Sequence, residues 1–180
     1  MTIISPDKVL AFWREAGPKL WFRKDAAFDA DFSNRFLAAH EAAMRGDLDG
    51  WAATAEGALA LLVLLDQFPR NAFRDTPRMF ATDAQSLSIA KASIAAGLDT
   101  ASDRELRNFF YLPLMHSEER ADQQQAVALT APLGGEEHRF AILHRDIIDR
   151  FGRFPHRNRI LGRATTPQEQ QYLGEGGFAG

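Results

Sequence analysis

Two Phe-Pro corners hold most of the residues in this chain that are suited to chemistry. Phe68 to Asn71 reads FPRN, Phe154 to Asn158 reads FPHRN, and MHSEE lies between them at Met115 to Glu119. A corner between helices needs an apolar plug, a proline and a cap. It has no need of Asp66, Arg70, Arg74, Arg153, His156, Arg157 and Arg163 besides. That surplus suits recognition of a small anion. Arg70, Arg153 and Arg157 offer planar guanidinium forks for bidentate pairing with phosphate or carboxylate. Asn71 and Asn158 add neutral hydrogen bonds. His116 and His156 are of the type that titrates near neutrality, so either suits a general acid or base, with Glu118 as an orienting partner. Such a set fits hydrolysis of, or transfer on, a small anionic metabolite. It requires the two corners and the HSE segment to converge on one cleft. The plainer alternative is a set of separate caps and ion pairs. Asp66 then pairs with Arg70, Asn71 and Asn158 serve as N-caps, and Ser117 caps the helix that follows it. Ser117 is a poor nucleophile candidate, because no G-x-S-x-G surrounds it.

Charge narrows the choice of partner. The net charge is -3, and arginines outnumber lysines 17 to 4. Seven of those arginines fall between Arg139 and Arg163, against Asp146 and Asp149 alone, so the rest of the chain is acidic. An overall negative charge, no nucleic-acid motif and aromatics spaced as core stripes argue against nucleic acid as a partner. His116, Glu118, Glu119, His144 and His156 are eligible metal ligands, but H-S-E-E is not a zinc spacing and nearby arginines oppose a cation. No metal and no cofactor are therefore expected. With no cysteine there is neither a disulfide nor a thiolate site. The longest apolar run, ALALLVLL from Ala58 to Leu65, is far short of the roughly 20 residues that span a bilayer. MTIISPDKVLAFW has no basic region leading into an apolar core, so no leader peptide, no membrane partner and a cytoplasmic location are expected.

The elements that must position these residues are helices. Val9, Phe12, Trp13 and Ala16 share one face at helical spacing, as do Phe28, Phe32, Phe36 and Ala39. Ser5-Pro6 starts the first helix and Gly17 ends it. A long helix from Trp51 through LALLVLLDQ is apolar all round and should lie at the centre. Pro69 should break it and turn Phe68 into the core. Further helices are expected from Thr76-Pro77 to Gly97, from Arg104 to Tyr111 with a stop at Pro113, and from Ser117 to Thr130. Another should run from Glu137 to Phe151 with Phe140, Leu143, Ile147 and Ile148 inward. Thr166-Pro167 with Glu169 is a capping-box signature. The three tryptophans should be core, His40 should face solvent or a neighbouring helix, and the tail from residue 174 to 180 should fray. No segment alternates with period two. The fold class is all-α, one domain over 1–180, with antiparallel helix pairs forming a bundle or short solenoid.

Several motifs together resemble the bacterial domain-of-unknown-function 924 family. They are Phe12-Trp13, Trp21-Phe22, LLDQFPRNAFR, FATDAQS, FFYLPLMHSE, and RFGRFPHRNRILGR followed by TTPQE. They span nearly the whole chain in the family's order. The resemblance implies a tetratricopeptide-like all-α fold and no particular reaction. The residues that match its motifs are Asp66, Gln67, Arg70, Asn71, Arg74, His116, Ser117, Glu118, Arg153, His156, Arg157, Asn158 and Arg163. Two functions are then in view. One is an Arg/His/Asn-lined cleft for a small phosphate or carboxylate ligand. The other is a basic tetratricopeptide-like groove that holds an acidic peptide or a terminal carboxylate, with no bond broken.

Overall fold

Every regular element in residues 4–180, the part of the chain described by the computed structural model, is helical. In chain order they are α1 (Pro6–Ala16), α2 (Pro18–Trp21), α3 (Ala26–Met44), α4 (Ala55–Leu62), α5 (Phe68–Ala72), α6 (Asp83–Ala95), α7 (Leu98–Ala101), α8 (Asn108–His116), α9 (Arg120–Thr130), α10 (Gly135–Phe151) and α11 (Pro167–Gly174). The chain forms two compact units. One runs to Arg74 and includes Arg78–Pro113; the other comprises Asp75–Pro77 and Leu114–Gly180. The boundary falls inside α8, at Pro113.

The first unit is built around aromatic stripes. Phe12 and Trp13 of α1 meet Phe32 of α3 with ring centroids 5.2 and 5.5 Å apart, and Phe28 and Phe36 extend the same face. Trp21 stacks on Trp13 and donates its indole N–H to the Trp13 carbonyl at 2.6 Å. The central helix is buried on all sides from Gly57 to Pro69, as its uniform apolar character demands. It begins later than expected. Trp51 lies in a 3₁₀ turn, Asp49–Ala53, and is only partly buried, while Thr54 caps α4 by accepting the Gly57 amide at 3.1 Å.

Proline 69 does not stop this helix, and Phe68 keeps helical angles (φ -53°, ψ -48°). The rod stays continuous because the intervening turn, Val63–Gln67, is a π-helix. A proline inside an α-helix removes one amide and crowds the carbonyl four residues before it. Widening to i→i+5 spacing relieves the crowding. The Phe68 amide reaches back to Val63, and the freed carbonyls find side chains. Leu64 accepts from His40 Nδ1 at 2.9 Å, Leu65 from the Thr82 hydroxyl at 2.5 Å, and Asp66 from Arg70 at 2.9 Å. His40 is therefore a buried, Nδ1-protonated histidine and does not face solvent. Burial lowers its pKa, partly opposed by its bond to Leu64.

Other boundaries also move. Pro77–Phe80 is a 3₁₀ turn, and α6 turns the small residues Ser86, Ala90 and Ser93 inward. Pro113 sits within α8 and does not end it. In the second unit α10 stops at Gly152, whose left-handed φ of 70° closes the helix with a bond to the Ile148 carbonyl. Its inward residues are Ala141, His144, Ile147 and Ile148, and Phe140 is exposed. Ile147, Ile148 and Phe154 form that unit's core, with Leu143, Phe151, Tyr172 and Phe178 packed against it. The tail, expected to fray, is tied down there through Phe178.

Candidate functional site

The first corner is consumed by internal carboxylates of its own unit. Arg70 forks onto Asp83 at 2.8 and 3.0 Å and lies 3.3 Å from Asp66, which also accepts from the Gln67 amide at 2.6 Å. Burial works against the Arg70 charge, but Asp66 and Asp83 more than offset it and raise its pKa. Arg74 forks onto Asp29 at 2.6 and 3.0 Å, and Asn71 donates to the same carboxylate at 2.9 Å. Asn71 is thus not an N-cap. Its corner is a folding device that ties α5 to α3 and α6. Asp29 and Asp83 gave no sign of this in the sequence, since their partners are 13 to 45 positions away.

The second corner also builds a network. Glu118 accepts the Phe154 amide at 2.8 Å and both ends of the Arg163 guanidinium at 2.7 and 3.0 Å. Burial pushes its pKa up, but Arg163, the Phe154 amide and the charge of Arg157 bring it below the usual carboxylate value. Arg163 also donates to the Phe154 carbonyl and to Asn158 Oδ1. Asn158 passes the chain of bonds on to Glu169, which Arg153 holds at 2.6 and 2.8 Å. Asn158, like Asn71, links charged groups and does not cap. Glu118, expected to orient a histidine, instead pins the corner in place. Ser117 accepts the Glu119 amide at 3.2 Å and donates to Asp122 at 2.7 Å, so its hydroxyl belongs to the start of α9.

What remains at this corner is a cluster of imidazoles. His116 lies 6.4 Å from His144, ring centre to ring centre, and Phe154 stands 5.4 Å from His144 and 5.6 Å from His156. The guanidinium of Arg157, a residue only 7% exposed, lies over the Phe154 ring at 4.5 Å. His144 donates through Nδ1 to the Phe140 carbonyl at 2.7 Å. Its place here went unassigned from the sequence, although its spacing from Ala141 and Ile148 puts it on one face of α10. His156 Nδ1 is buried and has no hydrogen-bond partner. Burial, and then the charges of Arg157, His144 and His116, drive the His156 pKa down to about 3, against a smaller opposing pull from Glu118. The two corners thus fall in different units. Within the second unit the structure brings together His116, His156, Arg157 and Glu118, and adds His144. Among the described residues no group of three His, Cys, Asp or Glu is arranged to hold a metal ion, and no helix is long and apolar enough to cross a membrane.

The low His156 pKa has a consequence for stability. The folded value, about 3, is below the ordinary 6.5, so the unfolded chain takes up the proton first. The contribution is complete above pH 6.5 and is lost as pH falls toward 3, at up to about 1.4 kcal/mol per pH unit. Urea midpoints measured across that window should fall more steeply for the wild type than for His156→Gln. Parallel curves would refute a neutral buried His156.

A family model described as a bacterial protein of unknown function (DUF924) matches residues 9–177. A solved structure of a protein of unknown function from Agrobacterium tumefaciens is 55% identical and superposes with a TM-score of 0.93, covering 94% of this chain and 97% of that one. No curated protein matches the chain. With a single family model spanning nearly all of its helices, the chain belongs to the DUF924 family of bacterial proteins.

Proposed function

We propose that this protein binds a small anionic ligand, a phosphate or a carboxylate, at the cluster of His116, His144, His156 and Arg157. The observation that carries the reading is the buried Nδ1 of His156, left without a hydrogen-bond partner beside the Arg157 cation. A buried polar atom of this kind costs free energy until a partner fills the position. Glu118, the carboxylate that acts on His156, is itself held by both ends of the Arg163 guanidinium. In its Nδ1–H tautomer His156 donates to the ligand, and Arg157 supplies the charge. With a pKa near 3 His156 is neutral at pH 7 and serves as a neutral donor. Arg157 is chosen for its place beside His156; Arg70, Arg74, Arg153 and Arg163 instead hold Asp83, Asp29, Glu169 and Glu118. A tetratricopeptide-like layout and a cytoplasmic setting accompany the reading, resting on helices joined by short turns and on the lack of cysteine.

The test is titration with inorganic phosphate and with succinate at pH 7, followed by thermal unfolding and imidazole NMR. A specific ligand at a hundredfold excess over Kd should stabilise the fold by about 2.7 kcal/mol. His156 and His116 resonances should move with it, and His116→Ala should weaken binding by about tenfold. No shift with either anion overturns the reading. Stabilisation by acidic peptides alone would replace it with an interaction module.

A further inference from the structure

The segment Gly176–Gly180 folds back over the imidazole cluster. Gly176 turns the chain with a left-handed φ of 84°. Gly177 then runs so close to α11 that a Cβ there would lie 2.6 Å from Cε1, Cζ and the carbonyl oxygen of Tyr172. The Gly177 amide donates to that carbonyl at 2.9 Å, and the Phe178 amide donates to the Tyr172 hydroxyl at 2.9 Å. These contacts aim the Phe178 ring between two histidines, 4.8 Å from His144 and 5.2 Å from His156. A Cβ on Gly180 would sit 3.2 Å from Cδ2 and 3.4 Å from Nε2 of His156, so the strand's end covers the same ring.

We propose that Gly176–Gly180 is a displaceable strap that closes the His116–His144–His156 cluster and must swing away for an anion to enter. This rests on the anion-binding reading above. The strap is lightly held. Both of its amide anchors are on one residue, Tyr172; Phe178 is its one large apolar side chain; Ala179 and Gly180 are exposed. A segment with so few buried contacts opens on its own while the α10 core stays closed. The two glycines at its base let it pivot, since Gly177 has no side chain to catch on the Tyr172 ring.

The experiment measures carbethoxylation of each histidine by diethyl pyrocarbonate at pH 7, resolved by mass spectrometry, in the full chain and in Phe178→Ala. Modification of His156 and His144 should accelerate by about tenfold, as expected when a locally closed segment is held open. Gly177→Ala, which retains Phe178 but pushes the strap off Tyr172, should give the same direction of change. Hydrogen exchange at Ile147 and Ile148 checks that the unit stays folded in both variants. Unchanged rates at His156 and His144 in folded variants overturn the strap. Inorganic phosphate separates the two ideas. Tighter phosphate binding in Phe178→Ala than in the wild type supports both. Equal binding to the two proteins overturns the strap and leaves the anion site standing. Reactive histidines with no phosphate bound by either protein overturn the anion site and leave the strap as a cover.

Discussion

Replacing Glu169 with alanine is expected to lower stability by about 3–5 kcal/mol, the range for removing one partner of a buried ion pair. Glu169 is 2% exposed and carries four interactions at once. It receives both arms of Arg153, the Asn158 amide and the Thr166 backbone N–H that completes the capping box of α11. Through Asn158 the same network reaches Arg163 and so Glu118. Loss of the carboxylate strands Asn158, which is fully buried, and leaves α11, which carries Tyr172, with only the Thr166 half of its capping box. The Arg153 hydrogen bonds, aided by the Thr166 amide, the Arg153 charge and Asn158 and opposed by burial, hold the Glu169 pKa at about 2. That is below the ordinary 4.5, so its contribution is complete above pH 4.5 and is lost as pH falls toward 2. A shift of that size corresponds to about 3 kcal/mol. Urea unfolding at pH 7 and across the acid range checks both statements. A loss below about 1 kcal/mol, the scale of one ordinary hydrogen bond, would show that the network is not cooperative. An unchanged acid slope in Glu169→Gln would refute the assigned pKa.

Gly57→Ala should cost about 3 kcal/mol, although helix propensity alone favours alanine over glycine by about 1 kcal/mol. Gly57 is in the first turn of α4, has ordinary helical geometry and is buried. A Cβ there would overlap the Trp51 carbonyl oxygen, far inside the carbon–oxygen contact distance, and lie 2.8 Å from its carbon and 2.9 Å from Thr54 Oγ1. The contacted atoms are mostly backbone, so they yield only if the 3₁₀ turn at Asp49–Ala53 moves and the Thr54 cap is lost with it. Thermal and urea midpoints of the single variant decide the matter. Any gain in stability would mean that the turn relaxes freely and that Trp51 is not held against α4.

Much of the fold was legible in the sequence. The aromatic stripes of α1 and α3, the all-round burial of the LALLVLL segment, the Gly152 stop and the Thr166/Glu169 capping box are local matters. They depend on spacings of three or four residues and on single-residue backbone preferences, which act before any tertiary contact forms. The readings that failed were also local rules, applied where tertiary contacts overrode them. Proline 69 breaks a helix unless something else satisfies the carbonyls it frees. Here His40 and Thr82, 24 and 17 positions away from their acceptors, do so and permit a π-turn. Asn71 and Asn158 have the composition of caps, but distant Asp29 and Glu169 claim their amides.

The candidate site divides in the same way. Residue types and their surplus over capping needs pointed to His116, Glu118, His156 and Arg157, but equally to Arg70, Asn71, Arg74, Arg153, Asn158 and Arg163, which internal pairs engage. The Asp66–Arg70 pair is local, but the other pairings were decided only in three dimensions, because 13 to 45 residues of chain separate Arg70 from Asp83, Arg74 from Asp29, Arg153 from Glu169 and Arg163 from Glu118. The entry of His144 into the cluster and the return of Phe178 over it were decided there too. The sequence determined that the chain would be helical, since that follows from short-range pattern and composition. The tertiary structure alone decided which charges cancel and which ring nitrogen is left without a partner, since those depend on burial and on partners that only the folded chain brings together.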